Sequence, residues 1–231
     1  MYLENYEKYL GTGEKDASGK DLKTFLESYD PRRFETPANT VDNLIFTYKE
    51  ENGKRSLSKL LLIKRGNHPS IGWWALPGGF VEMKENLDVS AARELEEETG
   101  VKGLKAVQLA TYGDFDRDPR TRVITTAYVS LIEEGSVCAN AGDDASDAAW
   151  FSVKAEKAAT KAVSDGVTEE IYDLTFSAGD INLYAAVAVI TDKTDILTKT
   201  DYKMVSNDGI AGDHAAIILH GMDYVLKVLN S

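Results

Sequence analysis

The chain has 231 residues, 43% of them hydrophobic, and carries a formal net charge of −12 with an isoelectric point near 4.8. That length suits one domain with an insertion or two small domains, and that apolar share supports a packed core and excludes wholesale disorder. So acidic a surface repels phosphate backbones, which argues against DNA or RNA as partners, and a nucleotide would need a metal ion or a local group of basic side chains to hold it.

The first residues, "MYLENYEKYLGTGEKD", lack a basic start and an apolar core, so they do not read as a signal peptide. Residues 1–40 form a polar N-terminal extension around the loop-like "GTGEKDASGK", with short helices expected over 2–10 and 21–29. From residue 41 the character changes. "VDNLIFTYKE" and "KLLLIKRG" read as strands joined by the polar turn "ENGKRS". "GWWALPGGFV" is an apolar run broken by Pro77 and two glycines; its Trp73 and Trp74 suit core or rim positions better than a stack on a nucleobase. A helix is expected over 87–99, with Asn86 as N-cap and Gly100 just past its end. "LKAVQLATYGD" and "TRVITTAYVSLIEE" are strand-like on either side of the charged loop "FDRDPR", and "DAAWFSV" at 147–153 is a short strand.

The segment 154–212 reads as a β-rich insertion after a core at 41–153. It opens with an Ala/Lys stretch suited to a helix. "IYDLTFS", "AGD" and "INLYAAVAVI" then alternate as a hairpin, and "TDYKMVS" follows as a third strand. Its apolar run "INLYAAVAVIT" is too short to span a membrane, so no membrane partner is expected. The exposed hairpin edge would need protection, and a homodimer is one common way to supply it. Residues 213–231 close the chain with Ile218, Met222, Val225, Leu226 and Leu229 at helical spacing, which predicts an amphipathic helix packing on the core. The single cysteine, Cys138, excludes an intramolecular disulfide, has no matched His or Cys nearby, and fits a reducing cytoplasm.

The densest chemistry lies in "GGFVEMKENLDVSAARELEEETGV", residues 78–101. On the expected helix Glu94, Glu97 and Glu98 share one face, Ala91, Ala92 and Leu95 form the adjoining apolar face, and Glu96 points elsewhere. A merely solvated charged face predicts basic residues four positions on, but Glu98 follows Glu94 and Val101 follows Glu97; only Lys102 stands in reach of Glu98. Neighbouring like charges on a helix cost roughly 0.2–0.5 kcal/mol per pair, and a hard divalent cation would turn that cost into a binding site.

These residues resemble the Nudix box, G-x5-E-x7-R-E-U-x-E-E-x-G-U with U aliphatic. Gly79, Glu85, Arg93, Glu94, Leu95, Glu97, Glu98, Gly100 and Val101 match every specified position, a coincidence on the order of 10⁻⁹ at one start point from background frequencies. The resemblance implies an α/β fold, an α/β/α sandwich with a mixed sheet and the box as loop–helix–loop. It implies a hydrolase that cleaves a nucleoside diphosphate linked to another moiety, with Mg²⁺ or Mn²⁺ as cofactor. By position, Glu94, Glu97 and Glu98 would be metal ligands joined by the Gly79 carbonyl. Arg93 would orient the box through a salt bridge to Glu85 or to a ligand carboxylate. The loop "GDFDRDPRTR" and the later "GIAGDHAAII" resemble the ADP-ribose pyrophosphatases and the related ADP-ribose-sensing transcriptional regulators. There Arg117, Arg120 or Arg122 would hold a phosphate, and Asp116 or Asp118 would assist a base or a second metal; an ordinary charged turn is the competing reading. His214 beside Asp213 reads as a substrate contact or as a helix-capping pair. The regulator reading is disfavoured by the intact box, by the acidic charge, and by a chain whose extra length precedes the last helix where a winged helix would follow it.

Overall fold

A computed structural model of the chain describes residues 2, 5–137 and 145–231; Cys138 lies outside them. The chain divides into two units, Met1–Thr36 and Pro37–Ser231. The described residues of the first hold the α-helix α1 (Leu22–Ser28), capped by Asp21, whose carboxylate accepts the Thr24 backbone N–H at 2.8 Å, and single 3-10 turns at Tyr6–Tyr9 and Pro31–Arg33, the former in place of the longer helix expected over 2–10.

The second unit is built on a ten-stranded mixed sheet. β1 (Ala38–Glu51) turns through Asn52 and Gly53, both at positive φ, into β2 (Lys54–Arg65). An Asn-Gly pair tolerates the left-handed conformation that a tight hairpin turn requires. Two short strands, β3 (Trp74–Ala75) and β4 (Gly78–Phe80), pair with β2 and β1. The helix α2 (Leu87–Thr99) follows, then β5 (Val107–Tyr112) and β6 (Val123–Glu133). β6 lies parallel to β1 from Ala38↔Val123 to Tyr48↔Glu133. β7 (Ala145–Ser164), β8 (Val167–Ala178), β9 (Ile181–Asp192) and β10 (Lys199–Asp208) form an antiparallel meander, and α3 (His214–Leu229) closes the chain. The strand order is β10-β9-β8-β7-β2-β1-β6-β5.

Strand alternation puts the two longer helices on opposite faces. Leu44, Phe46, Leu60 and Leu62 join the core that includes Ile217, Ile218, Met222 and Val225 of α3. Their neighbours Ile45 and Leu61 face the other way and pack with Leu95 of α2 and Val101. This is the expected α/β/α arrangement, and each fully buried aliphatic side chain stabilises it by roughly 1.5–3 kcal/mol. Among the described residues no helix is long and apolar enough to cross a membrane.

Two further local expectations fail. The Ala/Lys stretch after residue 154 is strand, because Ser152–Ser164 pairs with Val167–Ser177 of β8 across the Asp165-Gly166 turn. The helix preference of alanine and lysine is worth only tenths of a kcal/mol per residue, and a ladder with packed neighbours overrides it. The strand expected at 147–153 is therefore part of the twenty-residue β7, which runs through the 153/154 boundary and joins segment 154–212 to the core sheet. On α2, Ala92 is exposed while Ala91 and Leu95 are buried, so the apolar face is narrower than expected.

Gly221 lets α3 lie close to the sheet: a Cβ there would lie 2.5 Å from Leu44 Cδ2 and 3.2 Å from Phe46 Cε2. Gly221→Val should lower stability by about 1–3 kcal/mol through overpacking, read as a reduced denaturant midpoint with an unchanged slope.

Candidate active site

The box residues meet where β4, α2 and the central strands converge. Gly79 pairs with Val41 of β1, which sets β4 beside α2. A Cβ on Gly79 would stand 2.4 Å from Glu94 Oε2, and one on Gly78 would stand 2.0 Å from the Val41 carbonyl oxygen. Only glycines let the strand come this close to both neighbours. The Gly78 N–H donates to Glu98 Oε2 at 2.6 Å, tying the far end of α2 to the same strand. Gly100 ends the helix in the left-handed conformation as expected, but Asn86 makes no side-chain cap.

Arg93 answers the charge problem on α2. Its guanidinium donates to Glu85 at 2.9 Å, to Glu94 Oε1 at 2.7 Å, to Glu97 Oε2 at 2.9 Å and to the Phe80 carbonyl at 3.1 Å. The basic partner of Glu97 thus lies four residues before it, a spacing missed when only residues four positions on were considered. Lys102 pairs with Glu96 at 3.1 Å and does not serve Glu98. The Arg93 bonds hold the Glu85 carboxyl below its usual range. Burial pushes Glu94 up, Arg93 opposing it. Burial, with Glu94 and Asp42 nearby, pushes Glu98 up to about 8 despite the Gly78 bond. Two desolvated carboxylates facing one another are a cost that a bound cation would relieve.

A cavity of ≈ 550 Å³ lies over these groups. Glu94, Glu98, Arg93, Gly79, Arg117 and Arg120 line it; Glu85, Glu97, Arg122 and Asp116 do not. Glu97 is 57% exposed at the helix surface, and Arg122 and Asp116 are exposed on their loop. Among the described residues no three acidic, histidine or cysteine side chains are gathered around one metal position. The donors are nevertheless hard oxygens suited to Mg²⁺ or Mn²⁺. Glu94 and Glu98 would present such donors from the cleft wall, Glu94 with its Oε1 shared with Arg93, and Glu97 would have to turn in from the helix surface to join them.

The arginines of the 113–122 loop are largely spoken for. Arg117, 7% exposed, forms a two-point pair with Asp213 at 2.9 Å on each side. Asp213 therefore does not cap α3 with its side chain. Arg120 pairs with Asp118 at 2.8 Å and lies over the Phe80 ring, which keeps the Asp118 carboxyl low. His214 accepts the Leu76 N–H on Nδ1 at 2.9 Å, which leaves Nε2 as its proton-bearing atom, 3.9 Å from Asp42 Oδ1. Trp74 is buried edge-on against Phe151 at 4.7 Å, whereas Trp73 is part-exposed.

Two cleft residues escaped the sequence reading. Asp42 is buried in the middle of β1 and accepts Thr125 Oγ1 at 2.6 Å; an acid inside an apolar strand was the available signal. Arg65 lines the cavity at the end of β2, its Nε donating to the Pro69 carbonyl at 2.7 Å. Burial, then nearby Arg120, lowers its pKa. Among the described residues no carboxylate stands within ion-pair distance of it, so Arg65 has charge to offer a ligand.

The NUDIX domain model matches residues 40–170, more than half of the chain. The chain belongs to the Nudix family. It is 39% identical over 132 residues to the ADP-ribose pyrophosphatase of Methanocaldococcus jannaschii, covering 57% of this chain and 68% of that protein. It is 38% identical over 112 residues to the ADPR responsive transcriptional repressor NtrR of Acinetobacter baylyi, covering 48% of this chain but only 43% of the repressor. A MutT/nudix family protein from Enterococcus faecalis superposes with a TM-score of 0.66 at 28% identity, covering 98% of this chain and 76% of that one. The Nudix domain of Shewanella oneidensis NrtR, solved with ADP ribose, gives 0.51 at 33% identity, covering 58% of this chain and 84% of that one. The family and the archaeal homologue together support a pyrophosphatase-type hydrolase.

The two glycines separate geometry from stability. In Gly79→Ala the colliding atoms are the end of a flexible carboxylate, so the fold should survive while Mn²⁺ affinity, measured by titration calorimetry, falls at least ~10-fold. In Gly78→Ala the obstacle is the β1 backbone, and the thermal midpoint itself should drop.

Proposed function

We propose that the chain is a divalent-metal-dependent pyrophosphohydrolase that splits ADP-ribose into AMP and ribose 5-phosphate. The observation that carries this reading is the cleft of ≈ 550 Å³ that the part-buried carboxylates Glu94 and Glu98 line together with Arg65, which among the described residues has no carboxylate within ion-pair distance. Glu94, Glu97 and Glu98, with the Gly79 carbonyl, would hold Mg²⁺ or Mn²⁺. Such an ion, when bound, neutralises pyrophosphate charge and activates water. Arg93 holds Glu94 at the cleft, takes Glu85 as its own anchor, and would release Glu97 for the metal. Arg65 supplies the positive charge for a phosphate oxygen, a role the 113–122 loop cannot easily fill while Arg117 and Arg120 are neutralised by Asp213 and Asp118. Arg117 instead clips that loop to the start of α3. The ADP-ribose choice is supported by the archaeal pyrophosphatase and by the "GDFDRDPRTR" and "GIAGDHAAII" segments. A cytoplasmic location and a homodimer joined along the free β10 edge fit the same reading.

The likeness to a repressor favours a second reading, an ADP-ribose sensor that controls transcription. The net charge of −12 opposes it. The purified chain should give no salt-dependent shift of duplex DNA at micromolar concentration, and a sequence-specific shift would bring the sensor reading forward.

For the enzyme reading, ADP-ribose turnover should vanish in EDTA while the circular dichroism spectrum is unchanged, since the core clusters do not include the metal donors. Glu97→Gln or Glu98→Gln should each lower turnover at least ~100-fold by removing a metal-binding charge, whereas Glu96→Gln should stay within a few-fold. A substrate screen in which another nucleotide sugar or a nucleoside triphosphate exceeds ADP-ribose more than tenfold in kcat/KM would overturn the substrate and leave the family standing.

A further inference from the structure

A second cavity, of ≈ 590 Å³, opens between the loop after β5, the β10 strand and α3. β10 and α3 lie outside the residues matched by the family model, so this site is built partly from the matched domain and partly from elements beyond it. Arg117, Gly212 and Asp213 line both cavities, which makes the Arg117–Asp213 pair a wall between them.

The lining is aromatic and pre-arranged. Tyr202 stacks on His220 with ring centroids 4.5 Å apart and planes 12° from parallel. Tyr112 Oη and His220 Nδ1 are hydrogen-bonded at 2.8 Å, and the Tyr202 hydroxyl donates to Asp223 at 2.8 Å. Asp116, exposed on the loop after β5, lines the cavity beside this aromatic pair. The charge excludes anions. Both cations in the lining already have carboxylate partners, Arg117 with Asp213 and Lys203 with Asp114. Asp116 and Asp201 add negative charge, the latter shared with Lys199. A phosphate finds no free cation here, whereas an uncharged planar ring with N–H or O–H donors finds both aromatic faces and acceptors.

We propose that this cavity is a second binding site that takes a nucleoside, its base against the Tyr202–His220 pair and its donors toward Asp116 and Asp201. The preference for a neutral ring comes from the cavity itself; the choice of a nucleoside among such rings rests on the pyrophosphohydrolase reading. Because the wall is the pair that clips the 113–122 loop, a ligand here would touch the cleft's own boundary.

Titration calorimetry of the full chain in EDTA, where hydrolysis is off, tests it with adenosine and inorganic phosphate as probes. Adenosine should bind and phosphate should not. Tyr202→Leu should weaken adenosine about tenfold, the scale of one lost base-stacking contact, and Asp116→Ala about threefold by removing an acceptor, while Glu94→Gln should leave it unchanged. Asp116 is a surface residue, so that variant tests the site even if Tyr202→Leu melts early. Displacement of adenosine by ADP-ribose would identify the nucleoside as the substrate's own; simultaneous binding of both would identify a separate effector, and either supports the site. No adenosine binding at millimolar concentration would overturn the proposal, and so would binding lost in Glu94→Gln but untouched by both Tyr202→Leu and Asp116→Ala. Adenosine binding that behaves as expected in a chain unable to split ADP-ribose would sink the activity reading and leave this site intact.

Discussion

One guanidinium makes the acidic helix tenable. Arg93 reaches Glu85 before the helix, Glu94 and Glu97 on it, and the Phe80 carbonyl of β4. Without such a group the carboxylates of α2 would repel one another at a partly dry surface, and the helix would lose its hold on the strand beside it. Bidentate and multi-point geometry is what arginine provides and lysine does not. Glu98 is left outside this network. It is part-buried instead against the Gly78 N–H, and desolvation with Glu94 and Asp42 nearby raises its pKa.

The rest of the unit serves this junction. Alternation along β1 and β2 sends one set of side chains to α2 and the other to α3, so the sheet fixes both helices relative to the cleft. Gly78 and Gly79 let β4 lie against the β1 backbone and the Glu94 carboxylate at separations that no side chain would allow. The meander β7–β10 then adds surface on one side of the sheet. Lys203 of β10 holds Asp114, and Asp213 at the head of α3 holds Arg117, so the 113–122 loop is gripped from two elements outside the matched domain.

Most of the strands and the two longer helices were legible because their signals are local. Period-two alternation, the Asn-Gly turn and the glycine ending α2 each act within a few residues. The Ala/Lys stretch after 154 misled because its local preference is weak and its pairing partner lies across a hairpin and beyond. The capping role considered for Asp213 failed for a related reason: its partner, Arg117, is almost a hundred residues away in the chain.

The sequence by itself determined the family chemistry, since the box concentrates its carboxylates, glycines and arginine within 23 residues at spacings that one helix turns into one face. It also determined the acid balance that makes a phosphate depend on a few cations. Only the tertiary structure decided which arginines still carry usable charge. Arg117 and Arg120 are neutralised by aspartates, while Arg65, unremarked in the strand "KLLLIKRG", stands at the cleft held by a backbone carbonyl. Pairing of charges depends on distance in space, which falls off within ångströms, and distances between remote segments are set by packing rather than by any pattern along the chain.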